Sequence, residues 1–329
     1  MNKTIAFSSP DIIESDLESV QNVIKSGWLA HGKYSHQLEE EFCQYTGAKF
    51  ATTVSNCTAG LHLSCLASGF TSGDEVIVPA QTHTATAHAV EFTGAKAVFA
   101  DVDKITGNIL IDEIKSKFNK RTKGVIPVHM AGEPCQMDEI KNFCDKNNLV
   151  LIEDCAHALG TIYNNVHAGN YGISGNFSFY PTKQITTGEG GIVISNDKNF
   201  IEKVKKYKAF GIDTPPELRK KEGVYDVLSL GYNYRMTDFQ AALGVGQMER
   251  YSSNVEKRRL NAQLYCQLLE DHKNLYFAKY NSNSSFFLFQ IILNNNINRD
   301  KVIKALRDGG IGFSIHYATP VPLMSYYKN

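Results

Sequence analysis

Apolar residues in the first two thirds of the chain fall into short runs separated by stretches of helical spacing. The runs are Phe50–Val54, Glu75–Val78, Ala97–Ala100, Gly124–Val128, Val150–Ile152, Asn176–Phe179 and Gly191–Ile194. Between them, Thr58–Ser68, Thr84–Phe92 and Gln136–Asn147 place apolar side chains at helix intervals. An earlier amphipathic stretch, Asp11 to Lys25 (Ile12, Ile13, Leu17, Val20, Ile24), predicts a helix stopped by Gly27. Strands alternating with helices imply a mostly parallel sheet covered on both faces, hence one large α/β domain. The pattern changes after Asn233. Met236 to Leu269 is long, helical in spacing and free of proline, followed by an apolar run Ser285–Leu293, a helix Arg299–Asp308 and a short strand Gly312–Ile315. This predicts a large domain over residues 1–235, then a connecting helix and a smaller C-terminal α+β domain over 236–329. The KNLYFAKYNSNSS stretch reads as a loop, and no repeat or low-complexity segment interrupts the plan.

Composition narrows the function classes without choosing among enzymes. With 329 residues, 43% of them hydrophobic and 21% charged, the chain is long enough for a large core and a second, smaller one. Lysine plus arginine and aspartate plus glutamate each number 34, so no global field draws nucleic acid or an anionic membrane; an anion must be held by a local site. The seven cysteines are odd in number and form no Cys-x-x-Cys pair, which argues against a disulfide framework and against a zinc site, and no metal is expected. The N-terminus MNKTIAFSSP lacks the apolar run of a signal peptide, and no stretch reaches the ~20 apolar residues needed to cross a bilayer. The expected compartment is the reducing cytoplasm.

Four segments carry candidate chemistry. In FSFYPTKQITTGEGG (Phe177–Gly191), Lys183 follows a strand and lies in a loop rich in threonine and glycine, where a desolvated amine could serve as a Schiff-base nucleophile. Upstream, the strand of LVLIEDCAHALG (Leu149–Gly160) ends in Asp154 and continues to His157; a strand-end carboxylate is what pyridoxal phosphate (PLP) needs against its pyridinium nitrogen. In TTVSNCTAGLHL (Thr52–Leu63) a strand turns into a helix near Thr58, aiming backbone N–H groups and a helix dipole at any anion there. His83, a few residues past the strand of DEVIVPAQTHTATAHAV, could stack on a flat cofactor. Each also has an ordinary reading: a surface lysine in a turn, an aspartate or threonine capping a helix, a loop histidine.

Together and in this order, these segments closely resemble the DegT-type nucleotide-sugar aminotransferases, a PLP-dependent family of the aspartate-aminotransferase fold, fold type I. The likeness also includes SGWLAHG (Ser26–Gly32), IPVHMAGEPCQMDEI (Ile126–Ile140), GYNYRMTDFQAALGVGQMER (Gly231–Arg250) and GGIGFSIHYATPVPL (Gly309–Leu323). Position by position, the resemblance makes Lys183 the Schiff-base lysine, Asp154 the partner of the ring nitrogen and His157 a neighbour of the phenolic oxygen. His83 falls at the stacking ring, and Cys57, Thr58 and Ser178 fall at the phosphate, with Cys57 standing where glycine is commoner. Asn233 matches a residue that reaches the phosphate of the neighbouring subunit, which implies a homodimer with shared sites. Gly27, Trp28 and Leu29 match a segment near the substrate entrance.

The implied reaction moves an amino group from an amino-acid donor, glutamate by family analogy, onto a keto sugar linked to a nucleotide. Its products would serve surface polysaccharide, glycan or natural-product biosynthesis. A cyclitol or other small keto compound is an alternative substrate. A sugar dehydratase of the same scaffold would carry histidine at the lysine position, and Lys183 argues against it. A non-catalytic PLP-binding sensor would lack that lysine or add a DNA-binding domain. Family members usually continue for several tens of residues beyond the point matching Tyr327, so the small domain is expected to be cut short here, either by truncation or as a short natural form.

Overall fold

A computed structural model describes residues 4–212, 214 and 219–328. Its helices are α1 (Glu14–Ser26), α2 (Lys33–Thr46), α3 (Cys57–Ala67), α4 (Thr84–Glu91), α5 (Ile111–Lys117), α6 (Met137–Lys146), α7 (Lys198–Lys208), α8 (Asp238–Leu269) and α9 (Arg299–Asp308). The strands are β1 (Phe50–Val54), β2 (Glu75–Pro79), β3 (Lys96–Ala100), β4 (Thr122–Val125), β5 (Val150–Asp154), β6 (Ile162–Tyr163), β7 (Val166–His167), β8 (Ser174–Ser178), β9 (Gly191–Ser195), β10 (Leu275–Tyr276) and β11 (Ile292–Leu293). Seven of them form one sheet in the order β1-β9-β8-β5-β4-β2-β3. All pairs are parallel except those of β9, which runs antiparallel to both β1 and β8. An antiparallel neighbour needs no helical crossover. The chain therefore passes from β8 to β9 through a single loop, residues 179–190, at the carboxyl end of β8.

Alternation along each strand sorts side chains onto two faces. Ile152, Val76 and Val78 pack with Leu61 and Cys65 of α3 and Val90 of α4 on one face. Leu151, Ile77 and Val125 pack with Met137 and Ile140 of α6 on the other, and farther along Phe177 and Ile192 meet Phe42 of α2 and Val245 of α8. The strands are apolar on both faces because helices cover both. Phe177 is 1% exposed and meets Phe42 edge-on at 5.0 Å; truncating such a ring costs about 3–5 kcal/mol. By the same alternation Asp154 shares the face of Ile152, toward α4, while Glu153 points the opposite way.

The ends of α1 are set by local chemistry. The Ile13 amide donates to Asp16 Oδ2 at 3.0 Å, and Gly27 closes the helix at φ 72°, a left-handed position that suits glycine. The predicted strand Gly312–Ile315 is absent. Only Ile311 makes a bridge, with Ile5, and the chain then leaves the extended ladder. The run Ser285–Leu293 is likewise mostly irregular: only Ile292–Leu293 pairs, with Leu275–Tyr276, inside the stretch expected to be a loop. Backbone groups of 285 and 288 bond instead to Gly132 and Ala131, so tertiary contacts take the partners a strand would have used. Among the described residues, no helix is long and apolar enough to cross a membrane.

Candidate active site

The carboxyl ends of β1, β2, β5 and β8 open on a cavity of about 770 Å³, and Cys57, Thr58, His83, Asp154, His157, Ser178 and Lys183 all line it. Parallel strands present their carboxyl ends, with the following loops and helix N-termini, on one edge of the sheet. Of the residues expected at the cofactor, Asn233 alone lies outside this set. It lies exposed on the chain leading to α8, where its Oδ1 accepts from Arg235 Nε at 3.1 Å. Trp28 is 66% exposed and also stands outside the lining.

Asp154 is 4% exposed. Its Oδ2 accepts from the Thr86 hydroxyl at 2.8 Å and its Oδ1 from the Ala156 amide at 3.1 Å, while Thr82 and Thr86 share a further hydroxyl bond of 2.8 Å. The carboxylate is thus oriented by α4 and by its own turn. Lys183 is only partly covered, yet desolvation by the surrounding protein lowers its pKa to about 8, against the opposing pull of Cys57 and Asp154. Its Nζ lies 4.6 Å from the centroid of the Phe287 ring, and the His157 ring stacks on the same phenyl with centroids 4.3 Å apart. His157 is held well below the usual histidine range, first by burial and then by Lys183, His316 and His83. Its Nδ1 accepts the Ala131 amide at 3.4 Å, which assigns the proton of this neutral ring to Nε2.

The first turn of α3 also lines the cavity. Asn56 caps it by accepting the Ala59 amide at 2.8 Å, and helix geometry leaves the Cys57 and Thr58 amides without intrahelical acceptors. Gly191 permits this approach, since a Cβ there would stand 2.7 Å from the Cys57 nitrogen. The Cys57 thiol bonds to the Asn176 carbonyl at 3.5 Å, and burial, then Asp154, pushes its pKa well up, so the sulfur stays protonated. A dipole-backed pair of amides, the Thr58 and Ser178 hydroxyls, a buried carboxylate and a partly neutral amine in one cavity match the phosphate, ring nitrogen and carbonyl of PLP. The donor set fits the cofactor.

Sequence reasoning missed Phe287, Thr86, Gln184, His316 and Tyr317. His316 and Tyr317 lie in the GGIGFSIHYATPVPL motif and line the cavity. Phe287 carried no local signal, because its meeting with Lys183 depends on how distant segments pack. Away from the cavity, ligand-type atoms of buried His129, Glu153 and Cys155 lie within 4.8 Å of one another. The Glu153 carboxylate accepts from the amides of Gly169, Tyr171 and Gly172 and meets His129 Nε2 at 3.1 Å. With His129 Nδ1 accepting the Cys135 amide, the cluster is a satisfied structural node, and its lone pairs are taken.

Residues 10–329 match the DegT/DnrJ/EryC1/StrS aminotransferase family. An uncharacterized protein of Methanocaldococcus jannaschii is 38% identical over 327 residues, 97% of this chain and 84% of that relative. Among solved structures, the chain is similar to PseC of Helicobacter pylori, an aminotransferase involved in the biosynthesis of pseudoaminic acid, with 30% identity, a TM-score of 0.91, and coverage of 99% of this chain and 88% of that one. An aminotransferase from Psychrobacter cryohalolentis matches with 32% identity, a TM-score of 0.91, and the same coverage of 99% and 88%.

Proposed function

The chain belongs to the DegT/DnrJ/EryC1/StrS aminotransferase family and is a PLP-dependent aminotransferase; from that premise we propose that it aminates a keto hexose carried on a nucleotide, with glutamate as donor and Lys183 as the cofactor-bearing amine. The observation that carries the reading is that Lys183 and Asp154, from separate strand ends, face one cavity beside the capped N-terminus of α3. The likeness to PseC, an aminotransferase involved in the biosynthesis of pseudoaminic acid, supports a sugar rather than a cyclitol as acceptor.

When bound, PLP supplies an electron sink for the pair released when a C–H bond next to nitrogen is broken. Asp154 would hold a proton on the ring nitrogen, and Thr86 keeps its carboxylate aimed. His157, neutral with its proton on Nε2, would donate toward the phenolic oxygen. The Cys57 and Thr58 amides with Ser178 would hold the phosphate. Lys183 Nζ, with its pKa near 8, takes a proton from carbon as the free amine and returns it as the ammonium.

We further assign the active unit to a homodimer in which Asn233 completes the neighbour's phosphate site. The adjoining segment supports this, because Val224, Leu228 and Leu230 are 58%, 65% and 82% exposed, and clustered exposed apolar side chains mark association surfaces. Borohydride reduction of the PLP-loaded protein followed by peptide mapping tests the site: the pyridoxyl label is expected on Lys183, and a label on another lysine overturns it. Profiling with nucleotide-linked keto sugars and keto cyclitols tests the acceptor, and preferred turnover of cyclitols overturns the sugar assignment.

A further inference from the structure

The loop carrying Lys183 is held by two glutamines that the mechanism above does not use. Gln247 of α8, 5% exposed, grips the Thr186 peptide on both sides, its Oε1 accepting the Thr186 amide at 2.9 Å and its Nε2 donating to the Thr186 carbonyl at 2.6 Å. Gln184, the residue after Lys183, points the other way. Its Nε2 donates to the His157 carbonyl at 2.9 Å and reaches the Ser285 hydroxyl at 3.2 Å. Ser285 is fully buried and donates to the same His157 carbonyl at 3.2 Å, while Thr161 donates to Ser285 at 3.0 Å. One carbonyl is therefore the meeting point of three chain segments. Each carries a neighbour of the reacting amine: Lys183 itself beside Gln184, the His157 ring, and Phe287 two residues after Ser285.

We infer that Gln184 is a positioning residue, which with Ser285 locks the Lys183 loop, the His157 ring and the Phe287 ring into one rigid frame around the lysine Nζ. The frame explains how Phe287, from the C-terminal part of the chain, comes to lie 4.6 Å from that nitrogen while stacked on His157. It also explains how a lysine on a loop keeps its place beside that ring. A proton moved between two carbons needs its carrier held to within a fraction of an ångström, and a misplacement near 1 Å costs on the order of 100-fold. The inference rests on the reading of Lys183 as the cofactor-bearing amine, and it concerns Gln184 and Ser285, neither of which lines the cavity.

Gln184→Met keeps the side-chain length and removes the donor. In the full chain without cofactor, pulse acetylation across pH with mass mapping reads the titration of Lys183; the parent midpoint lies near 8, and the variant's is expected to rise by about one unit as water enters the loosened loop. In the loaded enzyme, kcat is expected to fall by roughly 10-fold while the acceptor KM changes by less than about twofold. A merely structural role would lower Tm and leave the Lys183 midpoint in place, so an unmoved midpoint or an unchanged kcat overturns the inference. If Gln184→Met does not fold, Ser285→Ala, which removes one hydroxyl, decides by the same two readings. The labelling needs no substrate, and borohydride mapping of the parent tests Lys183 separately, so failure of the frame and failure of the cofactor assignment give different results.

Discussion

At Lys183, burial and charge pull in opposite directions, and burial wins. The amine titrates near 8 rather than in the ordinary lysine range, so its neutral, nucleophilic fraction grows as pH rises through 8 and shrinks below it. Rates of covalent PLP attachment to the cofactor-free chain, followed by absorbance, should therefore rise to a plateau above pH 8 and fall about tenfold per unit well below it. A flat profile between pH 6 and 9 would mean that the amine is not limiting. Asp154 makes a second prediction. Asp154→Asn keeps the Thr86 bond in reach but loses the charge that, in the proposed role, would retain the pyridinium proton. Charge-assisted hydrogen bonds are worth about 1.5–3 kcal/mol, so kcat should drop roughly 10- to 100-fold with PLP still bound. Parent-like turnover would reduce Asp154 to a cap.

At the level of elements, two carboxylates on or against α8 hold the N-terminal helices in place. Asp238 in its first turn is 3% exposed and accepts the Gly32 amide at 3.0 Å and both the amide and hydroxyl of Ser35 at 2.9 and 3.0 Å, so it caps α2 from outside that helix. Gly32 allows it to come this close, as a Cβ there would stand 2.5 Å from Asp238 Oδ2. Asp238→Ala should cost about 2–3 kcal/mol in urea unfolding, and a loss under about 0.5 kcal/mol would show that water replaces the cap. Asp16 of α1 is fully buried and meets Arg250 of α8 through bonds of 3.0 and 2.8 Å. Arg250→Met would strand that carboxylate, for which about 3–5 kcal/mol is the expected loss. The stop of α1 at Gly27 and the long α8 were readable from local pattern. By contrast α2 was not, since its leading cap comes from a residue that only the fold brings near.

For the molecule as a whole, the cavity of one chain holds every proposed cofactor contact except Asn233, which sits on an exposed segment flanked by apolar side chains. A two-fold dimer presents that segment twice, once to each site. Mixing Lys183→Ala chains with Asn233→Ala chains should then restore activity above either parent variant, because each heterodimer has one site with both residues intact. This holds once Asn233→Ala alone is shown to be impaired and subunit exchange is verified. No recovery in verified heterodimers, or a fully active monomer, rejects the shared site.

What the sequence by itself determined is whatever depends on neighbours a few residues away. Short apolar runs between helical stretches specified a covered, mostly parallel sheet, and strand-end positions marked Asp154 and Lys183, since a residue's place in a strand and the chemistry of its side chain are both local. The same logic failed for Gly312–Ile315, whose apolar and glycine pattern suits a strand but finds only one bridge, to Ile5. Tertiary structure alone decided the antiparallel placement of β9, the cap of Asp238 on α2, and the frame in which Gln184 and Ser285 share the His157 carbonyl beneath Phe287. Hydrogen bonds and ring contacts act over a few ångströms in space, and the residues that meet there are separated by as many as 206 positions along the chain.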